Sequence, residues 1–150
     1  MIKKKRKKKP TWRKLYDENW RLCHEIVELR DGKVCIIPGC GATERLDLDH
    51  VISRGCKITF FETDILQFIC SEHHTHKSFR KGQWVDLTVR DICEARIGKN
   101  RFDDLVFTSR KCCPEFATLM HQEKVNSELK RELDALKNER NLNETPVQRL

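Results

Sequence analysis

Nothing in this sequence of 150 residues approaches the roughly 20 consecutive apolar residues that a membrane-spanning helix requires. The basic start, MIKKKRKKKP, has no apolar stretch behind it, so a secretory leader is not expected. Apolar residues are scarce overall, 38% against 35% charged, so one modest core must be helped by something else. There is no internal repeat. There is no Cys-x2-Cys pair, which argues against a thiol–disulfide oxidoreductase. No Pro-Cys-x2-Cys is present, so a zinc deaminase lacks its metal pair. No clean His-x3–5-His pair sits on a helix, so a DNA-reading zinc finger is also disfavoured.

Acids are missing from the first fourteen residues, whereas residues 3–14 carry nine of the thirty bases. The chain is +7 in all, so the remainder is slightly acidic. Residues 50–101 are the other basic stretch, with nine bases against six acids. The arm Lys3, Lys4, Lys5, Arg6, Lys7 cannot fold by itself, because like charges repel and nothing apolar is there to bury. It reads either as a solubilising arm or as a counterion-releasing arm for nucleic acid. In a eukaryotic cell it would also serve as a nuclear import signal. Eight cysteines without an export signal point to reduced thiols, hence metal ligands or core residues, and to a cytoplasmic location.

The expected fold class is α+β and mainly helical. A basic arm (1–10) precedes a helix over 11–32, capped by Thr11 and stopped at Gly32. A core spans 33–82. Its knuckle, Cys35-Ile36-Ile37-Pro38-Gly39-Cys40-Gly41, leads to a half-buried strand over 45–52 and a loop over 53–63. A β-leaning segment over 64–70 is followed by a helix capped by Ser71. A helical region over 83–142 comprises a helix over 86–97 ended by Gly98, a shorter one capped by Asn100, and a long one from Pro114 to about Asn141. Residues 143–150 are expected to fray. In the last helix Leu119, Gln122, Asn126, Leu129, Leu133, Leu136 and Arg140 follow an a/d register. Three of the seven are polar, so packing within the domain is favoured over a homodimeric coiled coil.

Cys35-x4-Cys40 and Cys70-x2-His73 are two close ligand pairs separated by 29 residues. Zinc takes four soft or borderline ligands in a tetrahedron, and two close pairs supply them at low chain-entropy cost. His76 is the alternative to His73. Such a staple would compensate for the thin core. Cys23, Cys56, Cys93, Cys112 and Cys113 lack a matching pair and read as ordinary thiols.

Between the pairs lies Leu48-Asp49-His50-Val51, and directly after the last ligand come His74, Lys77 and Ser78. If the knuckle pins strand to helix, Asp49 and His74 can face each other. They would then hold a second divalent cation with open positions. His50 cannot project the same way as Asp49, because adjacent strand residues alternate. It could stand beside the metal as a base near pH 7. This set suits hydrolysis of a phosphodiester. Arg54, Lys57, Lys77 and Lys81 would bind neighbouring phosphates. Mg2+ or Mn2+ would serve at the second site, and Ni2+ or Zn2+ also suit one carboxylate and one imidazole. Trp84 could stack on a base, although a buried Trp is the more ordinary reading.

Cys35…Cys40, Leu48-Asp49-His50-Val51 and Leu66-Gln67-Phe68-Ile69-Cys70-x2-His73-His74-x2-Lys77-Ser78 together resemble the HNH endonucleases of ββα-metal fold, over about residues 33–80. The resemblance implies DNA as substrate, His50 as general base, Asp49 and His74 as catalytic metal ligands, and structural zinc on the Cys/His quartet. It departs from the family in two places. The fourth zinc ligand, usually Cys, is His73. The middle Asn is replaced by Ile65, which cannot hydrogen-bond the loop or the histidine; Asp64 or Gln67 could substitute. Looser likenesses, through Ser53-Arg54-Gly55 and Ala95-Arg96-Ile97-Gly98, point to the NinG/Rap type of phage recombination nuclease. Cys-x2-His-His and the lysine arm point to the RecA-dependent Ref type. The competing expectations are a zinc-stapled nucleic-acid-binding module without catalysis, and a protein-interaction adaptor built on the C-terminal helix.

Overall fold

The structure, a computed structural model, describes residues 10–52, 57–77 and 83–144, with side chains up to 141. Lys3, Lys4, Lys5, Arg6, Lys7, Arg54, Cys56 and Lys81 lie outside the described residues, as do the last six residues of the expected frayed tail.

Helix α1 spans Trp12–Asp31, and the Thr11 side chain accepts from the Lys14 amide at 3.4 Å, as an N-cap does. Gly32, at φ 77°, closes it by donating its N–H to Glu28 O. Leu15, Asn19, Leu22, Cys23, Ile26 and Val27 recur at three- and four-residue steps and form its buried face. Strands β1 (Leu46–His50) and β2 (Leu66–Cys70) pair antiparallel, with Asp49 opposite Gln67 and Asp47 opposite Ile69. Helix α2 (Ser71–Lys77) follows β2 without a break. Ser71 is therefore the first residue of the helix rather than its cap, and its hydroxyl donates to Arg45 O at 3.0 Å.

Helix α3 (Gln83–Ile97) begins three residues before the expected Asp86. Gly98, at φ 83°, both closes α3 and opens α4 (Lys99–Ser109), so Asn100 sits inside the helix and caps nothing. Pro114–Ala117 forms only a 3-10 turn. The long helix α5 (Leu119–Glu144) starts after Thr118, whose hydroxyl accepts from the His121 amide at 3.1 Å. The expected strand over 64–70 is likewise shorter, because Thr63–Ile65 makes a 3-10 turn before β2.

The strand pair divides two small cores. On one side, Leu48, Leu66 and Phe68 pack with Leu22, Ile26, Phe60, Phe116, Leu129 and Leu133 from α1, the loop and α5. On the other, Ile65, Ile69 and Val51 pack with Ile37 of the knuckle, Val85 and Val89 of α3, and Phe102 and Leu105 of α4. Helix α5 lies along α1 in the same direction. Trp12 Nε1 donates to Phe116 O, Asn19 meets Gln122 and Asn126, and Glu25 meets Lys137. The seam through Leu136 is thus packed inside the chain, against α1.

Candidate metal centres

The knuckle is shaped by its own backbone. Cys35 N–H donates to Ala42 O at 2.8 Å, Cys40 N–H to Ile37 O at 3.1 Å, and Gly39 and Gly41 supply the positive φ values. Ile36 N–H donates to Phe68 O at 2.9 Å, which fixes the knuckle to β2. Cys70 ends that strand, and one helical turn carries His73 back over it. The ligand atoms of Cys35, Cys40, Cys70 and His73 all lie within 4.8 Å of one another. Cys40 Sγ is 3.9 Å from Cys70 Sγ, and His73 Nδ1 is 3.7 Å from Cys35 Sγ and 3.2 Å from Cys70 Sγ. A tetrahedral ion with Zn–S of about 2.3 Å needs edges near 3.8 Å, so the quartet fits a metal such as zinc through Nδ1.

The surroundings favour the thiolate at Cys40 and oppose it at Cys35. The Cys70 amide points at Cys35 Sγ from 3.4 Å. An amide hydrogen bond at Ala42 draws the Cys40 thiol below its ordinary value, while burial pushes Cys35 up to about 11. A buried thiol that resists ionisation is one that a metal must deprotonate, and zinc does so readily. Trp84 stands edge-on to the His73 ring at 5.7 Å and is 49% exposed, so it covers this ligand from outside and is not the buried residue expected. His76 is exposed and outside the quartet. Cys23 and Cys93 are buried in the cores, and Cys112 is exposed.

The second constellation begins at the next residue of α2, His74. Asp47 and Asp49 are alternate residues of β1 and share its α2 face, where His74 and Lys77 meet them. His74 Nε2 is 3.6 Å from Asp49 Oδ1, the approach expected of these two residues. His74 Nδ1 is 2.9 Å from Asp47 Oδ2. Asp47 was not anticipated, although the period of two along Asp47-Leu48-Asp49 was the signal that could have found it. Lys77 does not reach outward for phosphate. Its ammonium donates to Asp49 Oδ2 at 2.5 Å and to the His50 carbonyl oxygen at 2.8 Å. Lys57 is also placed elsewhere, over the rings of Phe60 and Phe116.

His50 turns to the other face of β1, towards α1. It is 4% exposed, stacked on Trp20 with centroids 5.4 Å apart, and 4.8 Å from the Phe60 ring. Its Nε2 lies 2.9 Å from Phe60 O. A carbonyl only accepts, so Nε2 carries a proton. The expectation that His50 stands beside the cation therefore meets a ring held within the α1-side core. A cleft of about 270 Å3, lined by Trp20, His24, Leu46, Asp47, Leu48 and His74, wraps the outer edge of β1 and joins the two faces.

Neither proposed substitute for the missing Asn supports His50. Asp64 is bound to Arg101 through its carboxylate and to Arg96 through its carbonyl. Gln67 is fully buried opposite Asp49, with neither amide atom hydrogen-bonded among the described residues. The loop is fastened by arginines instead. Arg30 donates to Thr63 O and Leu66 O, both at 2.8 Å, and Arg96 donates to Asp64 O at 2.6 Å. Set beside known proteins, the chain matches no family model, no curated protein and no solved structure.

Proposed function

We propose that this protein is a metal-dependent endonuclease of the HNH kind, hydrolysing DNA phosphodiester bonds on a ββα-metal core. The observation that carries this reading is the placement of His74 Nε2 3.6 Å from Asp49 Oδ1, on a helix that begins at a Cys3His cluster. An imidazole nitrogen and a carboxylate oxygen so spaced are a two-ligand set for a divalent cation such as Mg2+ or Mn2+ with positions left for substrate. When bound, that ion would supply charge stabilisation at phosphorus and at the leaving 3′-oxygen.

The chain's own residues do the rest. Cys35, Cys40, Cys70 and His73 would hold a zinc that ties the start of α2 to β2. Asp49 and His74 would hold the cation. His50 is the base of this reading: its Nε2–H is donated to Phe60 O, Trp20 and Phe60 fix the plane of its ring, and its buried Nδ1 must open to water for it to act. The cleft at the edge of β1 gives solvent a way to Asp47 and His74. The basic arm adds affinity for DNA without selecting sequence. A role in phage recombination or DNA processing is the narrower form of this reading.

One observation favours a second reading, a zinc-stapled nucleic-acid-binding module without catalysis. His50 is 4% exposed and Asp49 already holds the Lys77 ammonium, so the same residues can serve as packing and an ion pair. A plasmid-nicking assay over Mg2+, Mn2+, Ni2+ and Zn2+ separates the two. The nuclease reading expects nicking by the wild type, lost in His50→Ala and His74→Ala while both variants stay folded and zinc-loaded. Salt-sensitive DNA binding with no nicking under any ion overturns it in favour of the module. Nicking retained in His50→Ala removes that histidine from the chemistry.

A further inference from the structure

His74 carries two nitrogens and only one can hold the lone pair that a cation needs. In water a neutral histidine side chain favours the tautomer protonated at Nε2, which would point a proton at Asp49 and close the site. The structure supplies the correction. Asp47 Oδ2 lies 2.9 Å from Nδ1, and a carboxylate can only accept from that nitrogen. Asp47 is held there by strand geometry, being two residues before Asp49 on the same face of β1 and paired with Ile69 of β2.

We infer that Asp47 is a positioning residue for the second metal centre: it takes the Nδ1 proton of His74 and so turns the Nε2 lone pair towards Asp49. The inference rests on the nuclease reading for its purpose, but its content is the state of one imidazole. Such a carboxylate–imidazole–cation line raises the basicity of the ligand nitrogen and fixes the ring plane, and its loss weakens metal binding by about 10–100-fold. The Asp49 side chain complements it. Lys77 occupies Oδ2 and leaves Oδ1 as the oxygen nearer Nε2, so the two carboxylates are held in different roles by different partners. The Asp47 side chain is 53% exposed, so removing it leaves no buried gap.

The test uses the zinc-loaded full chain, labelled with 15N, and reads the His74 ring by long-range 1H–15N correlation at pH 7.5, with His74→Gln for assignment. The wild type is expected to be protonated at Nδ1 alone. Asp47→Ala should move the ring towards the Nε2–H form, and Asp47→Asn, whose amide oxygen still accepts, should restore much of the wild-type pattern. Zinc content and melting temperature should not change among the three, which separates positioning from support of the fold. A ring in the same tautomer with and without Asp47, or one protonated at both nitrogens in the wild type, overturns the inference. Mn2+ binding, followed by electron paramagnetic resonance of the free ion, is the second arm. One site is expected, about 10–100-fold weaker in Asp47→Ala. Equal Mn2+ affinity in wild type and Asp47→Ala also overturns it. The expected tautomer change without Mn2+ bound by either protein supports the placement by Asp47 and removes the nuclease reading instead.

Discussion

Lys77 Nζ lies 2.5 Å from Asp49 Oδ2, so the last residue of α2 is tied to the end of β1 by one ion pair. Both side chains are largely buried, 13% and 7% exposed. A buried pair is expensive to break from one side, because the charge left behind is neither solvated nor matched. Lys77→Met is therefore expected to lower stability by about 3 kcal/mol in urea denaturation. Lys77→Met combined with Asp49→Asn should recover part of that. The freed Oδ2 should also bind divalent ions better, so Mn2+ should stabilise Lys77→Met more than the wild type. Equal Mn2+ stabilisation of both would show that the ammonium and the ion do not compete for this carboxylate.

Zinc should be a folding ligand. The two cores are small and meet across only two strands, and the quartet joins the knuckle, β2 and α2. Removing metal by chelation, or Cys40→Ser, is expected to cost several kcal/mol and to lower the melting temperature. His76→Ala and Cys112→Ser, both at exposed positions outside the quartet, should leave one bound zinc per chain and an unchanged melt. Loss of zinc in His76→Ala would mean that the fourth ligand has been misassigned to His73.

What could be read beforehand was what neighbouring residues decide. Cys35/Cys40 and Cys70/His73 are local pairs, and only their meeting had to be supposed. Thr11 and Gly32 act at the ends of α1 through residues three and four positions away. The misses come from long-range packing. That His50 would be walled in by Trp20 depends on where α1 crosses β1, which no local pattern encodes. Lys77 reads as a phosphate ligand until Asp49 is brought beneath it. The Ile65 substitution looks like a loss of loop support, and Arg30 and Arg96, distant in sequence, supply that support instead.

The polar residues in the α5 seam did point to packing within the domain, and only the residue they meet was out of local reach. Gln122 and Asn126 weaken a coiled coil in isolation, yet both are buried against Asn19 of α1, 103 and 107 residues away. Asn19 Nδ2 donates to Gln122 O and Oε1, both at 3.1 Å, and Asn19 Oδ1 accepts from Asn126 Nδ2 at 2.8 Å. The group fixes the register of two parallel helices as a buried Asn does in a coiled coil. Asn19→Ala leaves partners buried without a hydrogen bond, at about 1–3 kcal/mol each. A loss of roughly 2–5 kcal/mol in the denaturation free energy is expected. Replacing all three with leucine should restore much of it; failure to do so would show that the network contributes more than its own satisfaction.

Stability should also fall on mild acidification for a reason unrelated to zinc. Burial lowers the affinity for protons of His24, on α1, and the Lys33 charge adds to it. His121, at the start of α5, is lowered in the same way, by burial first and Lys124 second. In both cases nearby glutamates oppose the shift without reversing it. The unfolded chain takes up these protons near the ordinary value of 6.5, while the folded chain does not until the pH is lower. Their contribution is therefore full above that value and is lost as the pH falls through it towards the folded values. With zinc saturating, the wild type minus the His24→Gln/His121→Gln double variant isolates the effect, because His73 and the thiolates cancel. The difference in denaturation midpoint should be constant at pH 7.5–8 and should shrink as the pH falls through 6.5. A difference independent of pH would show that both imidazoles bind protons as readily in the folded chain as in the unfolded one.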